Sequence, residues 1–101
     1  MIEYRGEAFN ELLANDLVLV DFFATWCGPC KMLMPVVEEL SGERTDVKVY
    51  KVDIDQHRQL ALSSVVRSVP TLILFKDGKE VGRNVGYADK TKLNTWLDSL
   101  K

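Results

Sequence analysis

The sequence predicts an α/β fold: a central mixed β-sheet flanked by helices in three layers, in the order (β)αβαβαββα. Three observations predict it. Apolar runs alternate with segments of helical period along the chain. The runs at 17–24 and 47–54 are apolar at successive positions, so both of their faces need cover. Asp77-Gly78 stands between two strand-like runs, and both residues tolerate positive φ, which is a hairpin signature.

Taken in order, a short first strand is allowed at 2–4. Phe9, Leu12 and Leu13 fall at i, i+3, i+4 and predict a short helix over 7–15. Residues 17–24 read as a buried strand. Leu33, Val36, Val37 and Leu40 share one helical face, so a helix starts near Cys27 and ends before Gly42. Residues 47–54 form the next strand, interrupted at Lys48, Lys51 and Asp53. Leu60, Leu62, Val65 and Val66 suggest a short helix before Arg67. Strands at 71–75 and 81–85 flank the Asp-Gly turn. Leu93, Trp96, Leu97 and Leu100 mark a last helix, capped by Asp89. Strand–helix–strand alternation implies parallel neighbours, with the terminal hairpin adding an antiparallel edge.

The 101 residues make one domain, 1–101, with no room for a second core. At 47% hydrophobic and 28% charged residues, the chain is too apolar to be disordered. Its net charge of −2 argues against a nucleic-acid face, and its scattered acids against an acidic tail. The longest nearly apolar run is eight residues with Asp21 inside it, whereas a membrane span needs about 20. The N-terminal residues lack an apolar leader core, so a cytoplasmic location is expected.

The two cysteines, Cys27 and Cys30, are three residues apart. A crosslink over so small a loop restrains the unfolded chain little, so a scaffold role is weak. Zinc within one chain would need Asp or Glu ligands beside His57, or a dimer. Redox chemistry is the leading reading. On a helix, positions i and i+3 lie roughly 5 Å apart, inside the disulfide window of about 4.4–6.8 Å. A sulfur at the helix start faces free N–H groups and the positive dipole end. Both favour thiolate, so Cys27 is the expected nucleophile. Cys30, one turn in, should be less exposed and act second. Pro29 suits the first turn, where its missing N–H leaves nothing unsatisfied.

Four segments, in order and with similar spacing, resemble the thioredoxin family over nearly the whole chain. They are Asp21 to Lys31 around Trp26-Cys27-Gly28-Pro29-Cys30, Val52-Asp53-Ile54-Asp55, Val69-Pro70-Thr71-Leu72, and Phe75-Lys76-Asp77-Gly78. Thioredoxins are themselves the standard example of this dithiol motif, so the specificity comes from the four segments together. The resemblance implies a thioredoxin-like fold and a thiol–disulfide oxidoreductase acting as a general protein-disulfide reductase. It implies disulfide-containing target proteins and recycling by an NADPH-dependent thioredoxin reductase. Electron transport and cell redox homeostasis would be its setting. The chain itself is expected to carry no cofactor.

Other residues carry two readings each. Asp21 is the one carboxylate among apolar neighbours, and burial should raise its pKa. It is either a proton acceptor near the thiols or a strand-end acid with backbone hydrogen bonds. Resemblance makes it the family's buried acid, assisting Cys30 through water. Lys51 is either an edge lysine reaching solvent or, by resemblance, a charge beside Asp21. Pro70 is a strand-start proline, trans by default; resemblance makes it cis and packs it against the dithiol, with the Val69 backbone open to an extended substrate. Trp26 is either packing or a contact face. Gly86 ends a strand or permits close backbone approach. By resemblance Trp26, Gly28, Pro29, Val69, Pro70 and Gly86 form the apolar surface that receives substrate. Pro35 should kink its helix. His57 sits on a surface turn without assigned function, Asp53 and Asp55 are solvated or capping, and Met32 and Met34 pack or flank. Phe23 stands where many thioredoxins carry tryptophan. Two further functions remain open at this point: an oxidase or isomerase on the same fold, against which Gly28-Pro29 and the missing leader argue, and a binding module with incidental cysteines.

Overall fold

The structure, a computed structural model, describes residues 1–14 and 17–101. Its elements are β1 (Ile2–Glu3), α1 (Phe9–Leu12), β2 (Leu17–Phe23), α2 (Gly28–Glu43), β3 (Lys48–Asp53), α3 (Arg58–Ser63), β4 (Thr71–Lys76), β5 (Lys79–Val85) and α4 (Lys90–Leu100). The expected helix at 7–15 shrinks to a single turn, and its last residue, Asn15, lies outside the described residues.

The sheet runs β1-β3-β2-β4-β5. β1, β3 and β2 are parallel, while β4 is antiparallel to both β2 and β5. The antiparallel half therefore begins inside the sheet, and the expectation that only the hairpin would reverse is corrected. Thr71, the first residue of β4, pairs with Phe22 near the end of β2, so the chain re-enters the sheet at the end where β3 stopped and runs antiparallel to β2.

Strand alternation divides the core in two. Val18, Val20, Phe22, Tyr50, Val52, Ile73 and Phe75 face one side, with Leu12 and Leu13 from the α1 turn and Phe9 and Leu60 packed against them. Leu19, Val49, Leu72 and Leu74 face the other, under Leu33, Val37 and Leu40 of α2 and Leu93 and Leu97 of α4. By the same alternation Asp21 and Lys51 point toward the α2 side.

Local signals explain the ends of the elements. Asp77 (φ +52°) and Gly78 (φ +82°) form the two-residue turn between β4 and β5. The Asp89 carboxylate accepts the Lys92 N–H at 2.9 Å and caps α4. α2 continues through Gly42 to Glu43, past the expected stop. A helical glycine costs only about 1 kcal/mol, and the far end is held. Arg44 N–H donates to Leu40 O, and its guanidinium binds Asp46, Asp98 and Asn94. His57 is half-buried rather than on an open turn, its ring 4.7 Å from that of Tyr4.

Candidate functional site

The reversal of β4 gathers four chain segments at one end of the sheet. β2 and β3 finish there, β4 begins there, and Val85 at the end of β5 pairs with Thr71. Just beyond these strand ends lie Ala24–Cys30, Ile54 and Asp55, Val69 and Pro70, and Gly86. Ala24, Cys27 and Cys30 form a small buried cluster with Phe23, Ile54 and Val69 packed around it.

Cys27 and Cys30 are joined by a disulfide with Cα atoms 5.2 Å apart. Cys27 is the N-cap of α2, in extended conformation, and its Sγ accepts the Cys30 N–H at 3.1 Å. The sulfur thus occupies the place where a serine or aspartate oxygen would satisfy an orphan donor. Any negative charge that develops on it meets that N–H and the positive end of a sixteen-residue helix. Cys27 is 5% and Cys30 2% exposed. Cys27 Sγ also lies 3.6 Å from the Val69 carbonyl oxygen. Beyond Cys30, an apolar cleft of about 260 Å³ is lined by Phe23, Ala24, Thr25, Cys30, Lys31 and Met34.

Asp21 is 1% exposed, and its Oδ1 has no hydrogen-bond partner among the described residues. Burial pushes its pKa up to about 7, and the charge of Lys51 pulls it partly back. Lys51 stands directly opposite Asp21 in the β2–β3 register. β3 lies between β1 and β2, so Lys51 is not on an edge strand. The structure favours the reading of Asp21 as a desolvated acid over a strand-end acid held by backbone.

The remaining residues line the rim. The Val69-Pro70 bond is cis, and Pro70 is buried against the site with Val69 half-buried. Pro70 O accepts the Gly86 N–H at 2.8 Å, and Gly86 has φ +94°. Gly28 and Pro29 are exposed in the first turn of α2. Trp26 is 67% exposed, and its Nε1 donates to Asp55 Oδ2 at 2.8 Å. Every residue singled out in the sequence for catalysis or substrate contact is at, or faces, this end.

Sequence reasoning missed three supports. Asp55 anchors the Trp26 ring, while Asp53 Oδ1 takes the Asp55 and Gln56 N–H groups and shapes the turn that presents it. Thr71, 2% exposed, donates to Ser68 O at 2.7 Å and closes the loop carrying Val69 and Pro70. Arg83 on β5 donates to Ser64 O and Val65 O, tying down the end of α3 that leads into that loop. The Trp26–Asp55 and Arg83 contacts join segments 18 to 29 residues apart, which no local pattern announces, whereas the Asp53 and Thr71 bonds reach only two or three residues.

A Cys27–Cys30 disulfide at a helix N-terminus, against the loop carrying Val69 and Pro70, defines the class: a thiol–disulfide oxidoreductase of α/β fold. The comparisons with known proteins name the family. The thioredoxin family model matches residues 1–99. A thioredoxin from Chlamydia caviae is 59% identical over 88 residues, 87% of this chain and 86% of that one. One from Mycobacterium tuberculosis is 54% identical over 87 residues, 85% and 75% of the two chains. Among solved structures, a Plasmodium falciparum thioredoxin superposes with TM-score 0.91 at 33% identity over 100% of both chains. A mutant thioredoxin from Halobacterium salinarum gives 0.89 at 44% identity, covering 98% of this chain and 88% of that one. The chain belongs to the thioredoxin family, and its Cys27–Cys30 pair is a redox-active disulfide.

Proposed function

We propose that the protein is a general protein-disulfide reductase in which Cys27 attacks, Cys30 resolves and Asp21 moves the proton. The observation that carries this reading is the Cys27 sulfur placed as the α2 cap, on the Cys30 N–H and against the Val69 carbonyl. In the reduced protein, the Cys27 thiolate attacks one sulfur of a target disulfide. A mixed disulfide forms and one target thiolate leaves. Cys30 then gives its proton to the Asp21 carboxylate, directly or through water, and its sulfur attacks Cys27. The second target thiolate leaves, and the Cys27–Cys30 disulfide remains. Two electrons pass from the dithiol to the target.

Asp21 suits that proton transfer because its pKa of about 7 lies near working pH. Lys51 keeps a fraction of it ionised, since without an opposite charge burial alone would raise the carboxyl further. Trp26, Gly28, Pro29, Val69, Pro70 and Gly86 form the surface on which target chains lie, with the Val69 backbone free to pair an extended segment. An NADPH-dependent thioredoxin reductase would return the disulfide to dithiol, in the cytoplasm, as part of electron transport that maintains redox balance. No helix among the described residues is long and apolar enough to cross a membrane.

Cys30→Ser tests the order of attack. Mixed with a disulfide protein such as insulin, the variant should accumulate a Cys27-linked adduct visible on a non-reducing gel, and Cys27→Ser should not. Adducts through Cys30 instead, or none at all, would overturn the assignment. The direction follows from the reduction potential. A value below a glutathione poise of roughly −220 to −260 mV supports a reductase, while one near −180 to −120 mV supports an oxidase or isomerase.

A further inference from the structure

The cleft beyond Cys30 has no part in the chemistry proposed above. Its volume is about 260 Å³, and it lies between the end of β2 and the first two turns of α2. Local sequence opens it. Ala24 is buried where the chain leaves β2, and its single methyl group leaves room under the helix. Cys30 and Met34 stand one turn apart on the same face of α2 and bring the helix side of the lining. The half-buried ring of Phe23 joins Ala24 on the strand side. A phenyl ring, a methyl group, a sulfur and a thioether thus meet whatever enters. Aromatic rings pack on one another, and a thioether contacts them favourably while adapting its shape. A dry cavity of about 150 Å³ already takes benzene, so this cleft has room for two fused rings.

Charge decides the other end of the ligand. Among the described residues, Lys31 is the one charged residue in the lining, and it is exposed. Its ammonium group has no ion pair among the described residues. The helix supplies none, because Cys27, Gly28, Met34 and Pro35, three and four positions away, carry no carboxylate. A lysine with its stem along apolar surface keeps its charge at the water's edge. An unpaired cation at the rim of an apolar cleft is complementary to a ligand with an apolar body and an anionic end.

We propose that this cleft is a binding site for a small aromatic carboxylate, its rings against Phe23 and Met34 and its carboxylate on Lys31. The site stands whichever way the redox reaction runs. Trp26, Val69, Pro70 and Gly86 are not in its lining, whereas Cys30 is. The ligand therefore meets the dithiol at Cys30 and leaves the Val69 loop free.

The test titrates naphthoate into the oxidised full chain and follows the backbone amides by nuclear magnetic resonance. Saturable shifts should centre on Ala24, Thr25, Lys31 and Met34, with a dissociation constant of about 1 mM, as expected for so few heavy atoms. The neutral analogue naphthalenemethanol should bind about fivefold more weakly, the upper end of what one exposed ion pair contributes. Lys31→Met should weaken naphthoate by that same factor and leave the alcohol unchanged. Phe23→Trp puts a larger ring into the cleft, one that many thioredoxins carry there, and should weaken both ligands by about tenfold or more. The wild-type map and the comparison of acid with alcohol need no variant to fold. No saturable shift, shifts centred on Trp26 and Val69 instead, or equal affinity for acid and alcohol overturns the proposal. Naphthoate binding left intact by Lys31→Met or by Phe23→Trp overturns it as well.

Discussion

Asp21→Asn removes the buried charge while keeping the shape of the side chain. Folded Asp21 holds its proton up to about pH 7, against an ordinary value of 3.8. Between about pH 4 and pH 7 the native state therefore binds more protons than the unfolded chain, so stability must fall as pH rises through that window. The stabilisation is fully present below the unfolded value and lost as pH passes the folded one. At about 1.4 kcal/mol per pH unit, the gap amounts to about 4 kcal/mol. The asparagine variant titrates nothing at this position. It should match the wild type near pH 4 and exceed it by about 4 kcal/mol at pH 8. Urea unfolding of both oxidised proteins, followed by circular dichroism from pH 4 to 9, gives the difference directly. In the disulfide form neither cysteine titrates. Carboxylates held below their ordinary range by their partners, such as Glu39 beside Lys90, Asp46 and Asp98 beside Arg44 and Glu80 beside Arg83, cancel in the comparison. A stability difference that stays flat across this range would refute the reasoning, because a structural loss or gain at residue 21 carries no pH dependence.

Three further perturbations probe the surroundings. Lys51→Met removes the charge that pulls the Asp21 pKa partly back, so the midpoint of the same stability titration should move above 7; an unmoved midpoint would mean that Lys51 is screened. Asp55→Ala frees the Trp26 indole N–H; in a Trp96→Phe background the Trp26 fluorescence anisotropy should drop, with a stability loss of about 1 kcal/mol or less for so exposed a bond. Val65→Gly should raise the unfolding free energy measured in urea by about 1 kcal/mol, because a β-branched residue at φ +56° is strained and at 54% exposure its side chain has little packing to lose; a lower unfolding free energy would show that packing outweighs the strain.

What was legible in the sequence was whatever depends on near neighbours. Strand and helix periods, the Asp77-Gly78 turn, the Asp89 cap and the i, i+3 reach of Cys27 to Cys30 are all set within a few residues, and the structure has each of them. The stop of α2 was misread because Gly42 is a weak breaker, and the ties of Arg44 to Asp46, Asn94 and Asp98 hold the helix end. The direction of β4 was misread because strand–helix–strand alternation does not say at which end of the sheet the chain re-enters, and that is set by pairing with β2. At Asp21 the residues themselves showed a misplaced carboxylate, while Lys51 was placed beside it only by resemblance, since that pairing depends on register across two strands. The anchoring of Trp26 by Asp55, 29 residues apart, had no signal at all.

The reversal of β4 is also what makes the site possible. Had β4 run parallel to β2, Val69 and Pro70 would have entered the sheet at the end away from Cys27. The reversal instead sets the Val69 carbonyl 3.6 Å from the Cys27 sulfur and ties Pro70 to Gly86. Asp21 faces the α2 side of the same sheet end, buried where a leucine would be more stable at neutral pH. Its destabilising charge and its proposed use as a proton acceptor are one property, because the desolvation that raises the pKa to about 7 acts on the native state alone. A single titration should therefore be visible twice. As pH rises through about 7, stability falls, and Cys30 gains an ionised carboxylate to take its proton. A resolving step that accelerated with a midpoint far from the stability midpoint would separate the two and leave Asp21 a structural cost without a catalytic return.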